Sequence, residues 1–441
     1  MSVCKEGDTL IDFACGKAGD LPKWVGAKLS FVFGVDVHKD NLENRLDGAC
    51  ARFLNWRKTT KNMPYALFVN GNSSFNIRHA TESSMLSDKA VLVTKAVFGN
   101  VPNNEKVLGK GVSRQFGVGK DGFSVSSCQF ALHYFLVNMT TLQGFLRNVS
   151  ECTKKDGYFI GTAYDGKLMF NLLKNKKNGE SLQIVEDGQK VWEVTKGYDS
   201  ETFEDDASSL GYRIDVYQDS INKTFSEYLI NFDYFDRAMF AYGFKLVDAD
   251  EAKQMGLPAA SGLFSDLYTN MMEELKRNKY QSKEYGSASK MTAYEKKISF
   301  LNRYFVYKKI RDENAEKVKL DAVEDLEEGE QLEEGEQLEK EELEQEEVLE
   351  KVLQEPTAAT IQVQEQIQEP LVAAMQVQEQ KEDDQIDQLS QIAEDIIQKP
   401  ADVIKDSLEV IQKASIIKKK ASRKQTSPET KKKSRKLRIE D

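Results

Sequence analysis

The period of the hydrophobic positions changes along this chain, and the change divides it. Near the start, "TLIDFA" and "FVFGVDV" are short apolar runs that close on an acidic residue, separated by helix-compatible sequence. "YALFVNGN", "GFSVSSCQ" and "GYFIGTA" continue the series. Their length and apolar character predict buried strands. Before the last of them, "TTLQGFLRNVSECTKKDG" carries apolar residues at helical spacing and predicts an amphipathic helix that ends at its glycine. Strand, helix, strand in alternation predicts an α/β fold with a largely parallel, doubly wound sheet, whose ligands bind at the strands' carboxyl ends.

Beyond Asp312 the aromatics vanish and Glu, Gln and Lys take over. The pattern predicts a folded domain over residues 1–311 and a low-complexity tail over 312–441. In the tail, "LEEGEQLEEGEQLEKEE" repeats every six residues. Successive leucines therefore step around a helix instead of forming one stripe, which disfavours a coiled coil. Q-V-Q-E-Q occurs at Gln362–Gln366 and Gln376–Gln380, and Pro356, Pro370 and Pro400 interrupt any helix there. The expectation is a disordered tail with transient helix.

Charge follows the same division, so the net −11 says little about partners. The tail is acidic first and then basic, with eleven Lys/Arg between Lys418 and Arg438 against one acid, Glu429. That end reads as a nuclear-import signal, an RNA-attracting arm, or a solubilising segment that folds back on the acidic repeat. Five cysteines never form a C-x-x-C pair and three histidines are dispersed, which argues against a disulfide framework or a metal site. No apolar run approaches the roughly 20 residues that span a bilayer, and the first residues lack the build of a signal peptide. A soluble intracellular protein is expected, cytoplasmic or nuclear through the basic tail.

Candidate chemistry begins in "IDFACGKAGDLPKW". The first strand-to-helix turn of a doubly wound sheet must let a ligand approach the backbone, which calls for small residues such as Ala14, Gly16 and Gly19. Asp36 closes the second strand about 20 residues further on, placed to accept both ribose hydroxyls. Dinucleotides and S-adenosylmethionine share this geometry. A pyrophosphate prefers G-x-G-x-x-G, whereas this turn reads A-C-G-K-A-G, so S-adenosylmethionine fits better and a dehydrogenase becomes a distant reading.

Later motifs narrow the choice. "SSCQFALHYF" places Gln129, His133 and Tyr134 at and beyond the end of a central strand. With "DFACGKAGDLPKW", "GVDVHKDNLENRLDGACARF", "VNGNSS", "GYFIGTAYDG", "SEYLINFDYFDRAMFAYGFKLV" and "ISFLNRYFVYKK" in this order, residues from about 8 to 311 resemble the mRNA cap guanine-N7 methyltransferase family, particularly the versions of large DNA viruses. "CQFALHY" and the lysine of "CGKAGD" are the specific parts.

The resemblance implies a Rossmann-like class I S-adenosylmethionine-dependent methyltransferase with a terminal antiparallel strand. It implies cofactor contacts from Ala14, Gly16, Asp36, Asn72, Ser73, Gln129 and Tyr134. Asn72 stands where the family usually has aspartate; its amide oxygen can serve the adenine amino group without charge. For the cap, the resemblance points to Lys17, Asp20, Arg52, His133, Glu227 and Tyr304, with Asn302 the alternative to Tyr304 if the last strand slips by two. Family members usually have helices upstream that help hold cofactor and cap, so this N-terminally short domain is expected to bind cofactor less tightly.

These residue types suit the implied reaction. Guanine N7 has an in-plane lone pair and no proton, so no general base is needed and in-line positioning supplies the catalysis. The product guanine is cationic, which suits a carboxylate from Glu227 and aromatic faces from Tyr134 or Tyr304. Lys17 and Arg52 would meet cap phosphates. Between Leu86 and Phe123 lies a long segment that resembles an insertion of viral members; Lys106, Lys110, Arg114 and Lys120 make it either an RNA contact or a solvated flap. The implied partner is 5′-capped mRNA, with triphosphatase and guanylyltransferase capping subunits. The rival readings are a methyltransferase acting on another nucleic acid or a small molecule, and an incomplete domain that only docks RNA or a capping subunit.

Overall fold

In a computed structural model, residues 3–278, 285–318 and 320 are described. The chain divides into two units, Met1–Gln354 and Glu355–Asp441, and every described residue lies in the first. The acidic repeat, the glutamine-rich motifs and the basic end fall outside the described residues. Ala315 and Leu320 are still buried in the main core, so packing continues beyond the 311/312 boundary read from composition.

Among the described residues, twelve strands follow in chain order: β1 (Thr9–Asp12), β2 (Phe31–Asp36), β3 (Tyr65–Asn70), β4 (Phe123–Gln129), β5 (Thr153–Tyr164), β6 (Ser181–Glu186), β7 (Gln189–Lys196), β8 (Arg213–Gln218), β9 (Lys223–Tyr228), β10 (Phe244–Leu246), β11 (Ser261–Leu263) and β12 (Asn302–Lys309). The main sheet runs β10-β12-β5-β4-β1-β2-β3, with β11 also pairing β12. β1 to β5 are mutually parallel where they pair, while β12 is antiparallel to β5, β10 and β11. This is a Rossmann-like arrangement. Strand order reverses between β1 and β4, and the crevice at that switch point opens at the carboxyl ends of both.

β2 explains why the run "FVFGVD" lacks polar alternation. Phe31, Phe33 and Val35 pack into the larger core with Phe98, Phe123 and Phe145, whereas Val32 faces the other layer with Leu10, Trp24 and Leu29. Both faces are covered, so both need apolar side chains.

The predicted amphipathic helix spans Met139–Cys152, capped by Asn138 and Thr141 in a reciprocal capping box. It does not end at Gly157 as its sequence pattern implied. Thr153 already belongs to β5, and Asp156 with φ 62° and Gly157 shape an irregular start to that strand. Nor is the segment after Leu86 only an insertion. Its helix Asp88–Val97 buries Val93, Ala96 and Val97 and supplies the crossover from β3 to β4; the flap reading is corrected to this extent.

A second, four-stranded antiparallel sheet, β6-β7-β8-β9, was not foreseen. Trp192, Val194, Ile214 and Val216 line its inner face and pack on Tyr164, Met169 and Leu301. It matters because β9 carries Glu227.

The loop after β3 is pulled against the helix Met139–Cys152. Asn148 accepts from the Ile77 N–H and donates to the carbonyls of Ser73 and Phe75, and Gly144 lets the Ser74 carbonyl approach so closely that a Cβ would sit 1.9 Å from its oxygen. Gly144→Ala is therefore expected to destabilise the protein by about 1–3 kcal/mol through overpacking. Urea denaturation with unchanged stability would refute the close approach.

Candidate active site

The first turn is closed by Asp36. Its Oδ2 accepts the Gly16 N–H at 2.8 Å, and its Oδ1 accepts the His38 N–H at 2.8 Å and the Asn41 amide at 3.0 Å. Gly16 has φ 52°, a left-handed conformation that suits glycine. A carboxylate has about four acceptor positions, so the buried Asp36 keeps roughly one for a ligand. Accepting two ribose hydroxyls would require a shared position.

Asp12, at the end of β1, was missed. It is 2% exposed. Burial foremost, then the nearby charge of Asp20, push its carboxyl up to about 8, with Asp36 adding to the rise and the Ala14 N–H and Lys23 opposing it. Ala14 contributes its backbone here, its N–H lying 3.3 Å from Asp12 Oδ1. Three carboxylates thus converge on the crevice. The signal was in the quoted stretch: an acid at the last position of a buried strand.

In the loop after β3, Asn72 and Ser73 are already engaged. The Ser73 hydroxyl donates to the Phe13 carbonyl at 2.7 Å, and Asn72 Oδ1 accepts the Ser74 N–H at 2.9 Å. Ser73 therefore latches the loop to β1 through its side chain. The Asn72 oxygen thus closes a turn and keeps one further acceptor position, so the expected contact to an adenine amino group stays compatible with this geometry.

Gln129 is held by Ser127 and Thr162. With Asp20, Trp24 and Tyr304 it lines a cavity of about 470 Å³. Tyr304 is 5% exposed, and its hydroxyl donates to the Ala259 carbonyl and accepts the Ala259 N–H. It faces Thr162 in the sheet. The structure so brings Tyr304 to Gln129, and its hydroxyl is already committed. Asn302 lies two residues along, opposite Tyr164, and donates to the carbonyls of Ile298 and Ser299.

His133 and Glu227 come together from different sheets. His133 sits on the short 3-10 turn Leu132–Phe135 after β4, and its Nδ1 is 3.5 Å from Glu227 Oε2. The contact lacks hydrogen-bond geometry, and both ring nitrogens of the buried imidazole have no hydrogen-bond partner. It is not an ion pair. Burial drives His133 down to about 3 and Glu227 up to about 8, so both are neutral near pH 7. Tyr134 packs edge-on against His133 with ring centroids 4.2 Å apart. Burial, then the charges of Glu227 and Asp36, push its hydroxyl up to about 12, which places it within electrostatic reach of both acids.

Behind Glu227 lies Tyr164, whose hydroxyl accepts from Trp192 Nε1 and Gln218 Nε2, each at 3.1 Å. Burial and the Glu227 charge raise it to about 12. No sequence signal marked this group, because it depends on the second sheet.

Lys17 and Arg52 form a separate, more exposed cluster. Lys17 Nζ pairs with Asp47 at 2.6 Å, and Arg52 donates to the Lys17 carbonyl at 3.2 Å. Exposed pairs of this kind are worth roughly 0–1 kcal/mol and exchange readily for another anion. Asp20 pairs with Lys23 at 2.6 Å.

Residues 4–310 match the family described as the mRNA (guanine-N(7))-methyltransferase domain. The chain belongs to this family. Among relatives, a "Probable mRNA-capping enzyme" of Acanthamoeba polyphaga mimivirus is 26% identical over 69% of this chain and 26% of its own length. An "mRNA cap guanine-N(7) methyltransferase 1" of Arabidopsis thaliana is 26% identical over 43% of this chain and 40% of its own. The chain thus spans less than half of these two relatives. An "mRNA cap guanine-N(7) methyltransferase" of Candida glabrata is 24% identical over 69% of this chain and 63% of its own. Among solved structures, the CcbJ methyltransferase from Streptomyces caelestis covers 70% of this chain and 86% of its own, with 12% identity and a TM-score of 0.36.

The His133–Glu227 contact generates a stability prediction. Folding raises Glu227 from 4.5 to about 8, so across that window the unfolded chain has released a proton that the native chain retains. Native stability therefore falls as pH rises. Glu227→Gln, neutral throughout, is expected to melt increasingly above wild type between about pH 6 and 8. A constant offset over that range would remove the assignment.

Proposed function

We propose that this methyltransferase-family domain transfers a methyl group from S-adenosylmethionine to guanine N7 of GpppN-capped RNA. One observation carries the reading: the buried imidazole of His133, neither nitrogen hydrogen-bonded, meets the largely buried Glu227 at the carboxyl end of β4 beside Tyr134, which also feels Asp36. Unpartnered buried nitrogens are expensive unless a ligand completes them.

The residues fit the cofactor. Asp36 retains an acceptor position for a ribose hydroxyl, and a cationic ligand in the crevice would be favoured by the acids Asp20 and Asp36 and would draw the proton from the neighbouring Asp12. S-adenosylmethionine would supply an electrophilic methyl group on a sulfonium. Glu227 would ionise to accept the N–H edge of guanine, and an imidazole N–H of His133 suits a guanine acceptor. Because guanine N7 carries no proton, none of these groups has to remove one. Their task is to hold the base and exclude water, and the carboxylate also favours the cationic product. Lys17 and Arg52 would exchange Asp47 and a carbonyl for cap phosphate. The kinship to a capping enzyme supports action beside triphosphatase and guanylyltransferase subunits.

Radiolabelled methyl transfer to GpppA-capped RNA tests the reaction. Label is expected at guanine N7, with His133→Ala lowering the rate roughly a hundredfold by misplacing the base. Absence of transfer by the wild-type chain, or label elsewhere, would reject it. Cofactor binding has its own readout: in calorimetric titration with adenosylhomocysteine, Asp12→Asn is expected to change the affinity and abolish its pH dependence near 8, and an Asn variant titrating like wild type would exclude Asp12.

Proton linkage gives another outcome. If Glu227 must ionise to hold guanine, cap-analogue affinity should rise about tenfold per pH unit from roughly pH 6 to 8 and level off above. Glu227→Gln should flatten that profile. Wild-type affinity independent of pH would contradict the assigned role.

A further inference from the structure

β9 leads away from the Glu227 pocket along an open edge. The β8–β9 register runs without a shift from Arg213↔Tyr228 to Gln218↔Lys223, so alternation puts Glu227, Phe225 and Lys223 on one face. Exposure rises along this row. The Glu227 side chain is 14% exposed, Phe225 is 37% exposed, and Lys223 is exposed.

Two features make the row unlike an ordinary sheet edge. Phe225 lies opposite Val216, which is 2% exposed, yet it keeps more than a third of its own surface in water. A ring serving only the core would be covered. Lys223 has no carboxylate partner among the described residues, while the nearby acid Asp215 points to the opposite face and is held by Arg213 and Ser226. The row therefore presents a buried carboxyl, then an aromatic face, then a free cation.

We propose that Phe225 and Lys223 form a contact surface for the single-stranded RNA that continues beyond the cap, Phe225 stacking on a base and Lys223 meeting a phosphate. The inference rests on Glu227 marking the guanine site. Every base has a π face, so such a contact is indifferent to sequence. A single lysine adds a salt-dependent attraction to the backbone. Together they would let the protein hold a capped transcript more tightly than the bare cap.

Fluorescence anisotropy with the full chain and adenosylhomocysteine tests this, using labelled GpppA and a labelled short RNA carrying the same cap. Phe225→Ala and Phe225→Leu are each expected to weaken the capped RNA by about tenfold while leaving GpppA unchanged. Lys223→Ala is expected to reduce the salt dependence for capped RNA by a slope of about 0.7. Unchanged RNA binding by the variants overturns the proposal, and so does an equal loss for GpppA, which would make Phe225 part of the guanine pocket. Glu227→Gln is expected to weaken both ligands alike. If it leaves GpppA binding intact, the guanine site itself is misplaced and the proposal falls with it.

Discussion

The hydrogen bond from the Gly16 N–H to Asp36 Oδ2, 2.8 Å long, organises the rest of the site. It ties the turn after β1 to the end of β2. The same carboxylate also holds His38 and Asn41, so one buried acid determines the shape of the crevice at the switch point. Burial foremost, and then the charges of Asp20 and Asp36, keep a proton on Asp12 near neutral pH. A cation entering the crevice would favour its release.

The second half of the site is built on the opposite logic. His133 and Glu227 are taken out of water without being given good partners from the protein, and both lose their charge in consequence. Tertiary structure sustains this because the inner face of the second sheet is otherwise well packed, with Trp192 fully buried and bonded to Tyr164. A rigid surround keeps the unsatisfied imidazole of His133 from solvent beside the largely buried Glu227 and leaves hydrogen-bonding capacity for a ligand. Tyr134, within reach of both acids, joins the two halves electrostatically.

The contrast between the two cation clusters follows from exposure. Lys17 is paired with Asp47 at the surface, where the pair is weak and replaceable. Lys309 instead is buried and donates to the carbonyls of Ser150 and Thr153, fastening the start of β5 to the last strand. Only the first kind can turn toward a ligand without loosening the fold.

What the sequence alone determined was local. Gly16, Asp36 and the small-residue turn were legible because a strand-to-helix turn and its acidic partner are set by neighbouring residues, and β1 to β5 were legible because burial on both faces leaves uninterrupted apolar runs. Resemblance extended this to His133 and Glu227 as members of one set. Only the tertiary structure decided how they meet: β9 belongs to a sheet whose strands alternate weakly and whose pairing is not written in any short window. The same holds for the committed hydroxyl of Tyr304, the latch made by Ser73 and the proton held by Asp12. Each depends on which backbone group or charge arrives from a distant segment, and a buried polar atom takes the partner that packing brings to it.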